Sequence, residues 1–127
     1  MVVTTLLTTC LAVLLVVLSM RVVNVRRSER VSLGTGQSPR LERRVRAQGN
    51  LAEYAPFGIA LVALCELNGA PWWLVGVPAV TFLIGRAMHG YALSFTDGDL
   101  RFRVLGMQLT LYAIIALIVL APASLLI

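Results

Sequence analysis

Two stretches without a charged residue, 1–20 at one end and 104–127 at the other, constrain this chain most. An α-helix rises about 1.5 Å per residue, so about 20 apolar residues cross the roughly 30 Å of bilayer hydrocarbon. Each stretch reaches that length. In lipid the backbone must satisfy its own hydrogen bonds, and a helix does so within one segment. Two further apolar segments, 51–67 and 70–94, lie between the ends, with Asn68-Gly69-Ala70-Pro71 at their junction. That junction predicts a tight turn, with proline in the first turn of the next helix. Trp72-Trp73 directly after it fits an interfacial aromatic anchor.

Composition decides between membrane and water. The 127 residues are 58% hydrophobic and 13% charged, with a mean hydropathy of +0.85. Too little polar chain remains to cover a buried hairpin in a soluble domain. The first segment has no basic n-region and no small-residue cleavage motif, so it reads as an anchor rather than a removed signal. The expected fold class is an all-α membrane protein, a single four-transmembrane-helix bundle. Its spans are expected at about 2–21, 46–67, 71–94 and 103–125, with a basic loop at about 22–45.

Charge sets the expected orientation. Arg21, Arg26, Arg27, Arg30, Arg40, Arg43, Arg44 and Arg46 fall between the first two spans, and Arg101 and Arg103 fall between the last two. Basic residues are retained on the cytoplasmic side. Both termini are therefore expected to face away from the cytoplasm, which an even number of spans permits. The basic loop also favours anionic headgroups of the lipid bilayer. Nucleic acid is not an expected partner, because no aromatic residues are interleaved with the arginines for base stacking.

Several chemistries are excluded. Gly34-Thr35-Gly36 predicts a flexible turn but lacks the spacing and lysine of a phosphate-binding loop. One histidine and two separated cysteines, Cys10 and Cys65, give no metal-ligand spacing, so no metal site is expected. No Ser-His-Asp or paired-carboxylate set stands out. After the loop, Ser38-Pro39 with Glu42 signals a helix start, so the second helix is expected to begin before its span. Pro56 is a candidate kink.

The informative residues are the ionisable ones within apolar segments: Glu53, Glu66, Arg86 and His89. Each costs about 2.5–3.5 kcal/mol at a span's centre on insertion scales, so such residues face the bundle interior or a polar cavity. Glu66, near the end of its span, is expected to reach water. Arg46, Asn50 and Glu53 follow i, i+4, i+7 spacing and share one helical stripe, flanked by Tyr54. Arg86 and His89 are an i, i+3 pair on one face. With Arg21, Arg101 and Arg103, these groups converge at one end of the bundle. An internal salt bridge of Glu53 with Arg86 or Arg46 would account for part of the pattern. The rest suits a small anionic ligand carrying an ammonium group, with arginines on its carboxylates and Glu53 on its amine. A channel or proton relay through Glu53, Arg86 and His89 is a further reading, though no internal repeat is visible.

The segment Glu42–Phe57, with its core Arg46-x-Gln48-x-Asn50-x-x-Glu53-Tyr54, resembles the signature of the MAPEG family, the membrane-associated proteins of eicosanoid and glutathione metabolism. Arg86-Ala87-Met88-His89 is similar to the family's third-helix motif, and Arg103-Val104-Leu105-Gly106-Met107 to the start of its fourth helix. The resemblance runs from Arg21 onward and is nearest to the compact bacterial members, implying a bacterial inner membrane. It implies a homotrimer with glutathione as co-substrate, bound near the cytoplasmic face between subunits. By position, Arg46, Asn50 and Glu53 are the implied glutathione contacts, with Gln48, Tyr54, Arg21, Arg86 and His89 around them. The implied activity is glutathione transfer to lipophilic small molecules, or peroxidase action on lipid hydroperoxides. Arg103, or else Arg101, is the implied thiolate-stabilising catalytic residue, since a nearby cation favours thiolate over thiol. One departure stands out: several catalytic members carry a tyrosine where this chain has Leu93. The family also includes a non-enzymatic lipid-transfer scaffold type, so a non-catalytic scaffold or lipid- or glutathione-binding protein is the alternative.

Overall fold

The computed structural model describes residues 1–126. Four helices follow one another: α1 (Val2–Glu29), α2 (Pro39–Leu67), α3 (Trp72–Ser94) and α4 (Leu100–Ala123), with a short 3-10 turn at Ser124–Leu126. No strand occurs among the described residues. Val2–Glu29, Pro39–Leu67 and Leu100–Leu126 are long and apolar enough to cross a membrane. α3 has 23 residues and carries Arg86 and His89, whose polarity it buries against α2 and α4 rather than presenting outward. The outward faces are instead lined by Leu6, Val13, Val16, Leu111, Ile115 and Ile118. An apolar exterior around a polar-containing interior is the pattern of a bundle solvated by lipid.

Each helix boundary has a local cause. At the start of α2, Ser38 Oγ accepts from the Leu41 amide at 3.2 Å, with Pro39 in the first turn. Asp99 starts α4 by accepting from the Arg101 and Phe102 amides at 2.9 and 3.2 Å. These caps satisfy amides that have no partner within the helix. α2 continues through Pro56 without a break.

The segment between the first two spans is largely helical, and α2 starts where Ser38-Pro39 signals it. α1 runs beyond Arg21 to Glu29, and α2 begins at Pro39, so most of residues 22–45 are helical. Val22 and Val25 explain the extension, because they close a small core with Leu41 beyond the main one. Arg26 and Arg27 in the last turn also complement the helix dipole. The remaining turn uses positive φ at Gly34 and Gly36, 64° and 55°, as the glycines there allow.

Glu66 does not reach water. Its carboxylate accepts from the Val3 and Thr4 amides at 3.1 and 2.8 Å and from Thr4 Oγ1 at 2.6 Å. It caps α1 from the far end of α2, and its side chain is nearly buried. Close by, Asn68 Nδ2 donates to Ala121 O and Ser124 Oγ, tying the α2–α3 turn to the end of α4. These bonds lock the end opposite the arginines.

Candidate functional site

Arg86 is 1% exposed, within a helix otherwise dominated by apolar residues. Its Nε donates to Thr110 Oγ1 on α4 at 2.9 Å, and Nη1 donates to Asn50 Oδ1 on α2. Nη2 faces Met107 Sδ at 3.8 Å, and Cζ lies 4.9 Å from the centre of the Tyr54 ring. All these partners are neutral. Among the described residues no carboxylate lies within ion-pair distance of Arg86. A buried charge held only by dipoles and a ring retains its attraction for an anion.

Two glycines make this position possible. A Cβ on Gly85 would lie 2.7 Å from Thr110 Oγ1, and one on Gly106 would lie 2.7 Å from the His89 nitrogen. Without side chains there, α3 and α4 approach backbone to backbone, and Thr110 comes within reach of Arg86. Thr110 Oγ1 in turn donates to Gly106 O at 2.8 Å, leaving its lone pairs for the guanidinium. Gly58 plays the same part on α2, where the Phe82 ring occupies the space a side chain would fill.

The other predicted residues fall into four groups. His89 is buried one turn beyond Arg86. Arg46 Nη1 and Glu53 Oε1 pair at 3.7 Å on the open face of α2, both more than half exposed. Arg46, not Arg86, is thus the partner of Glu53. Arg101 and Arg103 are exposed at the start of α4.

Gln48 and Arg21 are engaged elsewhere. Gln48 Nε2 donates to Ser19 Oγ on α1 at 3.1 Å. Arg21 donates to Ser94 through Nε to Oγ at 2.8 Å and through Nη2 to the carbonyl at 2.7 Å, with its guanidinium 3.5 Å over the Phe95 ring. Asn50 and Tyr54 are therefore the predicted residues in direct contact with Arg86.

Around Arg21 a second polar cluster forms. Arg21, Arg40, Arg43 and Arg44 line a cavity of about 190 Å³ with Ser94, Thr96 and Asp97. Burial, then the charges of Arg21, Arg40 and Arg43, push the Arg44 guanidinium below its ordinary value. Sequence alone gives no site role to Thr110, Met107, Ser94 or Arg44. The four-residue spacing of Gly106 and Thr110 is a small-residue contact pattern for membrane helices, and it was the available signal for the first.

Together these features define a four-helix integral membrane protein whose buried polar site is built from α2, α3 and α4. The MAPEG family model matches residues 4–123, and the chain belongs to the MAPEG family. It is similar to the inner membrane protein YecN of Escherichia coli strain K12, at 36% identity over 107 residues covering 84% of this chain and 80% of that protein. The protein of that name in E. coli strain CFT073 matches to the same extent.

Proposed function

We propose that this chain binds glutathione at the Asn50–Arg86 site and joins its sulfur to lipophilic electrophiles, or uses it to reduce lipid hydroperoxides, in a bacterial inner membrane. The observation that carries this reading is Arg86, a buried cation whose partners are all neutral. Glutathione supplies two carboxylates, an ammonium and a thiol. Arg86 and Arg46 would take carboxylates, and Glu53, exchanging Arg46 for the ligand, would take the ammonium. Asn50, Tyr54 and His89 would shape the pocket. The more than half-exposed Arg46–Glu53 pair leaves this face open on a single chain, and a second subunit in a homotrimer would close it.

In transfer, the thiolate sulfur forms a bond to the electrophilic carbon, and the leaving group departs with the bonding pair. In peroxide reduction, two glutathiones give up two electrons and form a disulfide, while the hydroperoxide becomes an alcohol and water. Either step needs the thiolate, and Arg103 at the start of α4 is the cation proposed to hold it, with Arg101 as the alternative.

Binding without turnover is the second reading. Leu93, an aliphatic residue 8% exposed, supplies no hydroxyl to the thiol. A glutathione titration on the detergent-purified protein, following thiolate absorbance and conjugation of a hydrophobic electrophile, separates the two. Binding without thiolate or product would establish the non-catalytic protein. No binding would remove the glutathione reading altogether.

A further inference from the structure

The outward face of α3 carries a pattern that the buried site does not use. Trp73, Val77, Val80, Ile84, Ala87 and Tyr91 are all exposed. At about 100° per residue they fall within about 40° of one line along the helix, and Trp73 and Tyr91, about five turns apart, are aligned. The residues between those two on this line are all aliphatic. Arg86 and His89 are buried on the opposite side. α3 is thus polar inward and apolar outward, the reverse of a surface helix in water.

Both ends of the line are aromatic clusters. Trp72 joins Trp73 at one end, and both are exposed. At the other, the Tyr91 ring stacks on Phe95 with centroids 5.8 Å apart and meets Phe102 of α4 edge-on at 6.2 Å. All three rings are about half exposed. The Arg21 guanidinium lies 3.5 Å over Phe95, so charge begins at this level. Rings with a polar edge, as in Trp and Tyr, favour the boundary between acyl chains and headgroups. Trp73 and Tyr91 are separated by about 27 Å along the axis at about 1.5 Å per residue, close to the roughly 30 Å of bilayer hydrocarbon. The same arithmetic puts Arg86 about 7.5 Å inward of Tyr91.

We infer that the outer face of α3 is a lipid-contact surface whose two aromatic clusters, Trp72-Trp73 and Tyr91–Phe95–Phe102, match the protein to a hydrocarbon layer about 27 Å thick. The Asn50–Arg86 site is thereby held beneath the lipid boundary rather than at it. A second copy of the chain is the other occupant such a face could take. Spacing decides against it, because an interface between copies has no need of aromatic clusters set one bilayer thickness apart. A lipid layer thinner or thicker than the match forces tilt or local distortion, so stability depends on acyl length.

The test uses the full chain in phosphatidylcholine vesicles brominated either near the headgroup or near the chain end. The chain's two tryptophans, Trp72 and Trp73, report one boundary directly, and the shallow bromines should quench them more. With both replaced by Phe, a Tyr91→Trp probe should show the same preference, and Ile84→Trp the reverse. Thermal unfolding in vesicles of increasing acyl length should be most resistant where the hydrocarbon is nearest about 27 Å. Replacing Tyr91 and Phe102 together by Leu should flatten that maximum, and Val80→Leu should keep it; helicity confirms that each variant is folded. Failure of either label to quench Ile84→Trp would show that a second copy covers the face and overturn the lipid assignment. Deep or depth-independent quenching of Trp72 and Trp73, or of Tyr91→Trp, would overturn the boundary clusters. A maximum unchanged without Tyr91 and Phe102 would show that other helices set the thickness, and would overturn the match. None of these measurements involves glutathione, so the proposed function can fail while this inference stands.

Discussion

Gly85 on α3 and Gly106 on α4 meet backbone to backbone: a Cβ on Gly106 would lie 2.8 Å from the Gly85 carbonyl oxygen, and one on Gly85 would lie 2.8 Å from the Gly106 carbonyl oxygen. Both approaches are closer than real Cβ contacts, and the atoms met are backbone, which cannot swing aside. Gly85→Ala or Gly106→Ala must push the helices apart. Overpacking of this kind costs about 1–3 kcal/mol. The same displacement pulls Thr110 from Arg86, so ligand affinity should fall together with thermal stability. Gly76→Ala supplies the control, since nothing lies within 4 Å of its added carbon. Equal stability of all three variants in a thermal denaturation series would refute the close-contact account.

Arg86 should prove more costly to function than to stability. Its burial places a charge among neutral partners, and a hydrophobe of similar length avoids the desolvation cost that such a charge carries. In Arg86→Met, Thr110 keeps its bond to Gly106, and Asn50 Oδ1 loses its donor. One unsatisfied buried acceptor costs about 1–3 kcal/mol, offset by the charge removed. Glutathione affinity should nevertheless drop about tenfold or more, as expected when one charged hydrogen-bonding partner is lost. Isothermal titration beside a melting curve checks both halves. Unchanged affinity would remove Arg86 from the binding site.

Glu66 predicts the opposite pattern. Its carboxylate serves two backbone amides and one hydroxyl of α1. Glu66→Ala leaves these donors without a protein partner at the start of a membrane helix, a cost of about 1.5–3 kcal/mol for hydrogen bonds to a charged group. Glu66→Gln keeps an acceptor oxygen and should recover part of it. Glutathione binding per folded molecule should be unaffected, because Glu66 lies at the end of the bundle opposite the arginines. A binding defect in the folded fraction would contradict that division.

How much of this was legible in the sequence depended on whether periodicity or partner choice was at stake. Charge-free runs and the Asn68–Pro71 turn fixed four helices, and Ser38-Pro39 marked the start of α2 within the basic segment. The stripe Arg46–Asn50–Glu53 also formed as helical spacing requires. Partner choice was not legible. Nothing in spacing tells that Asn50 meets Arg86 while Glu53 stays outside with Arg46, since that depends on how far α2 is rotated toward α3. Glu66 departs from expectation for a related reason: its distance from the span end is readable, but the arrival of Val3 and Thr4 beside it is not. Gln48 faces α1 from α2 and Arg21 lies on α1 itself, and only the packing of α1 shows that their polar atoms are already engaged.

Arg103 carries the sharpest test of chemistry against mere binding. A thiol of pKa about 8.5 is mostly protonated at neutral pH. An opposite charge within a few ångströms lowers the pKa of such an acid by about 1–3 units, because it favours the ionised form. The group titrating here is the ligand's thiol, so its depressed pKa gives activity that is present above the pKa and lost as pH falls through it. Removing the cation should therefore move the rising limb of the pH–rate profile upward, toward the pKa of the free thiol. In Arg103→Ala the limb should shift up by about 1–3 units, and the rate at neutral pH should fall about tenfold for each unit. Glutathione affinity should change far less, because Arg103 is exposed at the start of α4 and the proposed carboxylate contacts lie on α2 and α3. At high pH, where the thiol ionises unaided, the variant should approach the parent rate. Arg101→Ala, examined in the same way, identifies which of the two arginines acts. A parallel loss at every pH in Arg103→Ala, with no displacement of the limb, would show that this residue does not stabilise the thiolate.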